Sequence, residues 1–240
     1  MRLIALGDTH GRKAWKHIVE KETFDKIVFI GDYLDSRDGI SGEDQLENLE
    51  EILEYKRQNW DKVILLFGNH DFHYLYTSTE PYSQYQSNFR IQFGGVLHQA
   101  IDEGLLQMCY SHDNLLFSHA GFTKTWCQGR IGNPNPSGES FIECVNSLFI
   151  TDPNAFEFTP GENLSLTGDD VTQTPIWVRP HSLLEDRIDG YIQIVGHTTV
   201  RRIVTGHEII LIDAIGSGEY LIYEDGKLFP GKIIENFQES

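Results

Sequence analysis

Three apolar runs near the start of the chain each stop at a glycine and hand over to polar residues: "RLIALGDTHG" (2–11), "KIVFIGDYLDS" (26–36) and "KVILLFGNHDFH" (62–73). Each run has the length of a strand. The segments between them carry apolar residues at helical spacing, Trp15, Ile18 and Val19 in one and Leu46, Leu49, Ile52 and Leu53 in the other. Ser41-x-x-Asp44 has the form of a capping box at the start of the second. A β-α-β-α-β order of this kind predicts parallel strands with helices packed on the sheet. Open parallel sheets place ligands beyond the carboxyl ends of their strands. The three polar clusters are therefore expected to meet on one rim.

The rest of the chain is less regular. Residues 76–90 read as a loop or lid, and 91–103 as a helix. "LLQMCY" (105–110) and "NLLFS" (114–118) read as a strand pair around "SHDN", and the second run ends in the polar "HAG". Six of the eight prolines fall between Pro134 and Pro180, so about 129–180 is expected to be a loop-rich insertion over the site, broken by a helix near 139–149. The whole of 1–240 is expected to be one domain. Its end is β-rich, with "YIQIVGHTTV", "EIILIDA", "GEYLIYED" and "GKLFP" as short strands that suggest a second sheet, and "EDGK" as a hairpin turn.

Composition narrows the partners. The formal net charge is −17, with no basic stripe, which argues against a nucleic-acid partner. No apolar run is long enough for a membrane-spanning helix. The opening "MRLIALGDTHG" is unlike a signal peptide, and the cytosol is the expected location. Cys109, Cys127 and Cys144 are sparse and lack a Cys-x-x-Cys, so they read as free thiols rather than as a zinc ribbon or a disulfide framework.

Asp8, His10, Asp32, Asn69, His119 and His197 each lie at or just after the end of an expected strand. Carboxylate, amide oxygen and imidazole together suit Mn²⁺, Fe or Zn²⁺ better than Ca²⁺. A lone Gly-Asp or Gly-His is usually a turn, but five such clusters in fixed order are hard to obtain by chance. Gly7, Gly31, Gly68, Gly121 and Gly196 permit unusual dihedrals or close backbone approach beside them.

"GDTHG", "GDYLDS", "GNHD", "SHAG" and "GHT", in that order, resemble the motif series of the calcineurin-like metallophosphoesterases, and within it the phosphoprotein-phosphatase branch with its small bacterial and phage enzymes. The resemblance runs from residue 1 to about Asp213. It implies a four-layer α/β/β/α sandwich of two mixed sheets with metals at one edge. It also implies a phosphoesterase holding two divalent metal ions, manganese first and iron, zinc or nickel as alternatives. Asp8 and His10 would hold the first ion, Asp32 would bridge, and Asn69, His119 and His197 would hold the second. A hydroxide between the ions would attack phosphorus in line. His70 would be the general acid, held by Asp35, and Arg179 and Arg37 would grip phosphate oxygens. Asp71 is expected to cap the following turn or to orient backbone amides.

Two departures from the family pattern stand out. The usual Gly-Asp-x-x-Asp-Arg-Gly is here Gly31-Asp32-Tyr33-Leu34-Asp35-Ser36-Arg37, so Arg37 is displaced by one and either it or Ser36 faces the phosphate. Thr199 stands where many relatives carry a second histidine after Gly-His. Asp213 resembles a position that orients a ligand histidine. His73, His112 and His181 have no assigned chemistry, with His73 expected to pack or line the rim.

The substrate expected is a phosphomonoester, either a phosphoprotein or a small phosphorylated metabolite or nucleotide. A dinucleoside polyphosphate hydrolase is the alternative within the same chemistry, with the tyrosines at 74, 76, 82 and 85 available to stack a base. A non-catalytic interaction scaffold is the alternative of another class, and the complete set of ligands and acid argues against it.

Overall fold

Alternation within the first strands decides the architecture. Ile4, Leu6, Ile27, Phe29, Val63 and Leu65 fall in one buried cluster with Trp15, Ile18, Leu49, Ile52 and Leu53 of the two intervening helical segments. Leu3, Ala5, Val28, Ile30, Ile64 and Leu66 fall in another, with Leu115, Phe117, Ile194, Ile210 and Leu221 from later in the chain. The period of two sends alternate residues to opposite faces, so a sheet with apolar residues at both parities is covered on both sides. Each of the larger of these side chains contributes about 2 kcal/mol by burial, and a one-residue slip of register would exchange the two faces.

The structure is a computed structural model and describes residues 1–75 and 83–233. In chain order its elements are β1 (Arg2–Leu6), α1 (Ala14–Lys21), β2 (Lys26–Phe29), α2 (Gly42–Gln58), β3 (Val63–Leu66), α3 (Asn69–Phe72), α4 (Arg90–Asp102), β4 (Leu106–Gln107), β5 (Cys109–His112), β6 (Leu115–Ser118), α5 (Lys124–Ile131), α6 (Glu139–Thr151), α7 (Pro180–Asp186), β7 (Ile192–Val195), β8 (Ile209–Leu211), β9 (Glu219–Glu224) and β10 (Lys227–Lys232). One sheet runs β10-β9-β1-β2-β3-β4 and the other β5-β6-β7-β8. β1 to β4 are parallel, and β9 and β10 are antiparallel to their neighbours. In the second sheet β5 is antiparallel to β6, while β6, β7 and β8 are parallel. Helices α1 and α2 cover the outer face of the first sheet. On the outer face of the second, α6 packs on β5, and Leu183 of α7 meets Val178 and Val195. This is the four-layer α/β/β/α sandwich. Among the described residues no helix is long and apolar enough to cross a membrane.

The expected helix starts are in place. Ser41 caps α2, its hydroxyl accepting from Asp44 N at 3.1 Å. Trp15 of α1 donates to Asn48 Oδ1 of α2 at 2.9 Å, which ties the two helices together inside the core.

Two expectations about strands are corrected. "LLQMCY" is not one strand paired with "NLLFS". Its first part is β4, parallel to β3 in the first sheet, and its second is β5, antiparallel to β6 in the second. The chain crosses between sheets at Met108. The amide of Asn146 on α6 stands in for a missing strand there, with Oδ1 accepting from Met108 N (2.8 Å) and Cys109 N (3.1 Å) and Nδ2 donating to Cys109 O (3.1 Å). The β-rich end is not all second sheet either: β7 and β8 belong to it, but β9 returns to pair with β1 and carries β10 with it. The hairpin between them turns at Asp225 and Gly226, both at positive φ, as a two-residue primed turn requires. Helices α5 and α7 were not foreseen. α5 is capped by Thr123, whose hydroxyl accepts from Trp126 N, and α7 starts at Pro180.

Candidate metal and acid site

The loops after β1, β2, β3, β6 and β7 bring the polar clusters to one edge of the sandwich. Asp8, His10, Asp32, Asn69, His70 and His197 line a cleft of about 150 Å³, and Arg37, Ser83, Trp177, Arg179, Thr199 and Asp213 complete its wall. His119 lies behind them, fully buried.

The backbone in these loops is unusual. His10, Asp32, Asp35 and His197 all have positive φ, between 46° and 62°. Non-glycine residues rarely adopt this region, and clusters of them mark sites where the surroundings impose a conformation. Asp71 supplies much of that imposition. Its Oδ2 accepts from Asp32 N (2.8 Å) and Gly68 N (3.1 Å), and its Oδ1 from Tyr33 N (2.9 Å). It therefore joins the loops after β2 and β3, as the orienting of amides expected for it requires. Two glycines permit the close approach: a Cβ at Gly68 would lie 2.1 Å from Asp32 Oδ1, and one at Gly196 2.1 Å from Asp8 Oδ1.

The donor set suits cations. His10 Nδ1 donates to Leu34 O (2.6 Å), His119 Nδ1 to Ile30 O (3.0 Å) and His197 Nε2 to Trp177 O (3.1 Å). Each carbonyl fixes the tautomer and leaves the other ring nitrogen with its lone pair turned into the site. Asn69 Oδ1 then lies 2.9 Å from His119 Nε2 and 2.8 Å from His197 Nδ1. Three lone pairs meet with no proton to share, an arrangement a cation resolves. The carboxylates make the same case. Ligand atoms of Asp8, Asp32 and His119 lie within 4.8 Å of one another. Burial, then the charges of Asp213 and Asp32, push the Asp8 carboxyl well above its usual range. His10 Nε2 stands 3.8 Å from Asp32 Oδ2, and His197 N donates to both oxygens of Asp8. All six expected metal ligands are thus brought together.

The expected contact between His70 and Asp35 is also present. His70 Nδ1 lies 2.8 Å from Asp35 Oδ2, which leaves Nε2 on the cleft side. Burial disfavours the charged imidazole, but Asp32 and Asp35 outweigh it and raise the His70 pKa. His73 was not foreseen here. It does not line the cleft; its Nε2 lies 2.8 Å from the same Asp35 oxygen. The i, i+3 spacing puts His73, at the end of α3, on the same side as His70, but it says nothing of the carboxylate they share.

Both expected arginines reach the cleft. Arg179 is held by Thr167 O (2.8 Å, from Nε) and by His197 O and Thr198 Oγ1 (3.1 and 3.3 Å, from Nη1). Burial, then the neighbouring Arg37 charge, lower its pKa. Arg37 is exposed and lines the cleft, whereas Ser36 turns its hydroxyl to Asp38 N. Trp177, Pro175 and Arg179 come from the proline-rich stretch, and Pro175 O accepts from Ala120 N beside His119.

Other expectations are refined. Asp213 accepts from Thr199 Oγ1 at 2.6 Å, not from a ligand histidine. Tyr74 is buried with its hydroxyl on Asp35, and the half-buried Tyr85 stacks on it with one face. Tyr76 and Tyr82 lie outside the described residues. His112 sits edge-on to Tyr223, and His181 is exposed beside Asp169; neither lines the cleft. Gln193 was not singled out. Its buried amide brackets Phe122, accepting from N (2.7 Å) and donating to O (3.0 Å), and so holds the loop that carries His119.

Comparison with known proteins gives the family and the fold. The sequence profile of the calcineurin-like phosphoesterase family matches residues 1–210. No curated protein matches the chain. Among solved structures, a cold-active protein-tyrosine phosphatase of a psychrophilic Shewanella superposes with a TM-score of 0.60 at 18% identity, covering 96% of this chain and 77% of that one. A protein serine/threonine phosphatase from Saccharomyces cerevisiae, with similarity to human phosphatase PP5, gives 0.52 at 12% identity, covering 98% and 81%. At these identities the likeness is one of fold.

Proposed function

Because the chain belongs to the calcineurin-like phosphoesterase family, whose reaction is hydrolysis of phosphate esters, we propose that it is a phosphomonoesterase that uses two divalent cations and protonates its leaving group from His70. Asp8, His10 and Asp32 would hold one cation, and Asp32, Asn69, His119 and His197 the other, manganese being the first candidate. Cations so bound supply a water of lowered pKa and neutralise charge on the phosphoryl oxygens. Arg179, and Arg37 at the open side, bind and orient those oxygens. His70 holds a proton at Nε2 and passes it to the leaving oxygen as the P–O bond breaks, while Asp35 keeps the opposite N–H in place.

The observation that carries this reading is the His70–Asp35 pair beside the converging lone pairs of Asn69, His119 and His197. A binding scaffold has no use for an acid placed there. The described cleft is also smaller than the several hundred Å³ of a site that encloses a drug-sized ligand. With Tyr74 buried and one face of Tyr85 stacked on it, no observation among the described residues favours a dinucleotide substrate. A phosphoprotein or a small phosphorylated metabolite or nucleotide remains the proposed substrate, in one domain spanning 1–240. A cytoplasmic setting would keep the three cysteines as thiols.

The test is release of p-nitrophenol from p-nitrophenyl phosphate, with Mn²⁺, Fe²⁺, Ni²⁺ or Zn²⁺ added to metal-stripped protein. Turnover restored by metal is expected. Protein shown to contain two metal ions that releases nothing would leave the scaffold reading instead. A panel of phosphopeptides, nucleotides, dinucleotides and cyclic phosphates then identifies the substrate class.

A further inference from the structure

Asp35 is a shared carboxylate. His70 Nδ1 and His73 Nε2 each lie 2.8 Å from Oδ2, and the Tyr74 hydroxyl donates to Oδ1. All three side chains come from α3 and the turn that ends it. His73 is buried, with its ring edge-on to His70 at 5.7 Å between centroids. Tyr74 and Tyr85 brace it at 4.5 and 4.9 Å, and the Tyr74 hydroxyl in turn accepts from Gln86 N.

A carboxylate held from one direction can rotate about its last bond. One that is hydrogen-bonded by His70 and Tyr74, with His73 Nε2 in ion-pair contact at 2.8 Å, is held from three sides, so the oxygen that faces His70 is fixed in place. We propose that His73 is a positioning residue: through the Asp35 oxygen it shares with His70, it holds the His70 imidazole with Nε2 directed into the cleft. This rests on the reading of His70 as the proton donor. His73 does not line the cleft, so its influence on the reaction passes through Asp35. Purely packing contacts would place no ring nitrogen against the one carboxylate that orients the acid.

The consequence is specific to the proton transfer. An alkoxide of high pKa needs His70 in place as the P–O bond breaks, whereas p-nitrophenolate leaves with little help. His73→Phe keeps the ring and its packing but removes the nitrogen, and His73→Gln keeps an N–H at nearly the same reach. Turnover of phenyl phosphate and of p-nitrophenyl phosphate is compared in both variants, with metal content measured alongside. In His73→Phe we expect phenyl phosphate turnover to fall roughly tenfold or more and that of p-nitrophenyl phosphate by less than about twofold, with metal stoichiometry unchanged. His73→Gln should return the ratio of the two substrates toward that of the wild type. Should His73→Phe not fold, His73→Asn, whose amide is too short to reach Oδ2, takes its place.

Equal losses on both substrates, no loss on either, or a Gln variant no closer to wild type than Phe would each overturn the role. Failure of the underlying reading looks different. Wild-type protein that does not turn over, or His70→Asn with equal losses on both substrates, would remove the acid itself.

Discussion

One carboxylate, Asp71, governs the geometry of two loops at once, because it takes N–H groups from Asp32, Tyr33 and Gly68. Asp71→Asn would turn an NH₂ toward amides that need an acceptor. A loss of about 2–3 kcal/mol is expected in urea denaturation, since buried N–H groups are left unmet. Gly68→Ala acts on the same junction from the other side. Its Cβ would fall on the Asp32 carboxylate, so metal binding measured by calorimetry should weaken by at least tenfold or so, while the helical content of the protein stays intact. Asn69→Ala and His119→Ala should each lower the number of metal ions bound, because both side chains present a lone pair to the same point. At this scale the sequence was largely legible, since Asp8, Asp32, Asn69, His119 and His197 all follow strand ends and that placement can be read from pattern. His73 was not legible. Its partner, Asp35, lies on the far side of α2, and local pattern says nothing about contacts across that distance.

At the scale of elements, the hinge at Met108 shows what pattern cannot show. "LLQMCY" is apolar throughout, so nothing in it marks a passage from one sheet to the other. The marker is Asn146 on α6, a helix whose own pattern does not show which amides its side chain meets. Asn146→Leu should lower the melting temperature, because two N–H groups and a C=O at the hinge lose their partner. The same packing protects the thiols. Burial pushes the Cys127 thiol up to about 12 and that of Cys109 well above its ordinary value, while Cys144 on α6 is exposed. Brief alkylation of the native protein near about pH 8, followed by peptide mass analysis, should find Cys144 modified and the other two untouched. The β-rich end was legible as strands but not as neighbours. β9 pairs with β1 because Leu221 completes the apolar layer between the sheets and Ile222 the layer beneath the helices, a fit that exists only once both sheets are present.

At the scale of the whole molecule, Arg2 joins the first strand to the ninth. It pairs with Glu22 at the end of α1 and with Glu224 of β9. Burial disfavours the Glu22 carboxylate, but the Tyr220 hydroxyl and Arg2 outweigh it and hold its pKa below the ordinary value. A depressed carboxyl stabilises the fold above its unfolded pKa and loses that contribution as pH falls through the folded one. Glu22→Gln should therefore melt a few degrees below wild type near neutral pH, and the difference should shrink below about pH 4. A gap that persisted in acid would assign the effect to packing.

The strand order has a further consequence, in time rather than in space. β1 sits between β2 and β9, and the candidate ligands run from Asp8 to His197. A chain emerging from the ribosome presents Asp8, His10, Asp32 and Asn69 long before His119, and His197 later still. Until β7 is made, the lone pair of His197 is missing from the point where Asn69 and His119 meet. The donors proposed for the second cation would therefore be complete only after β7 has been made. The donors proposed for the first cation, Asp8, His10 and Asp32, would all be made well before that, so the two proposed positions would be completed in order rather than together.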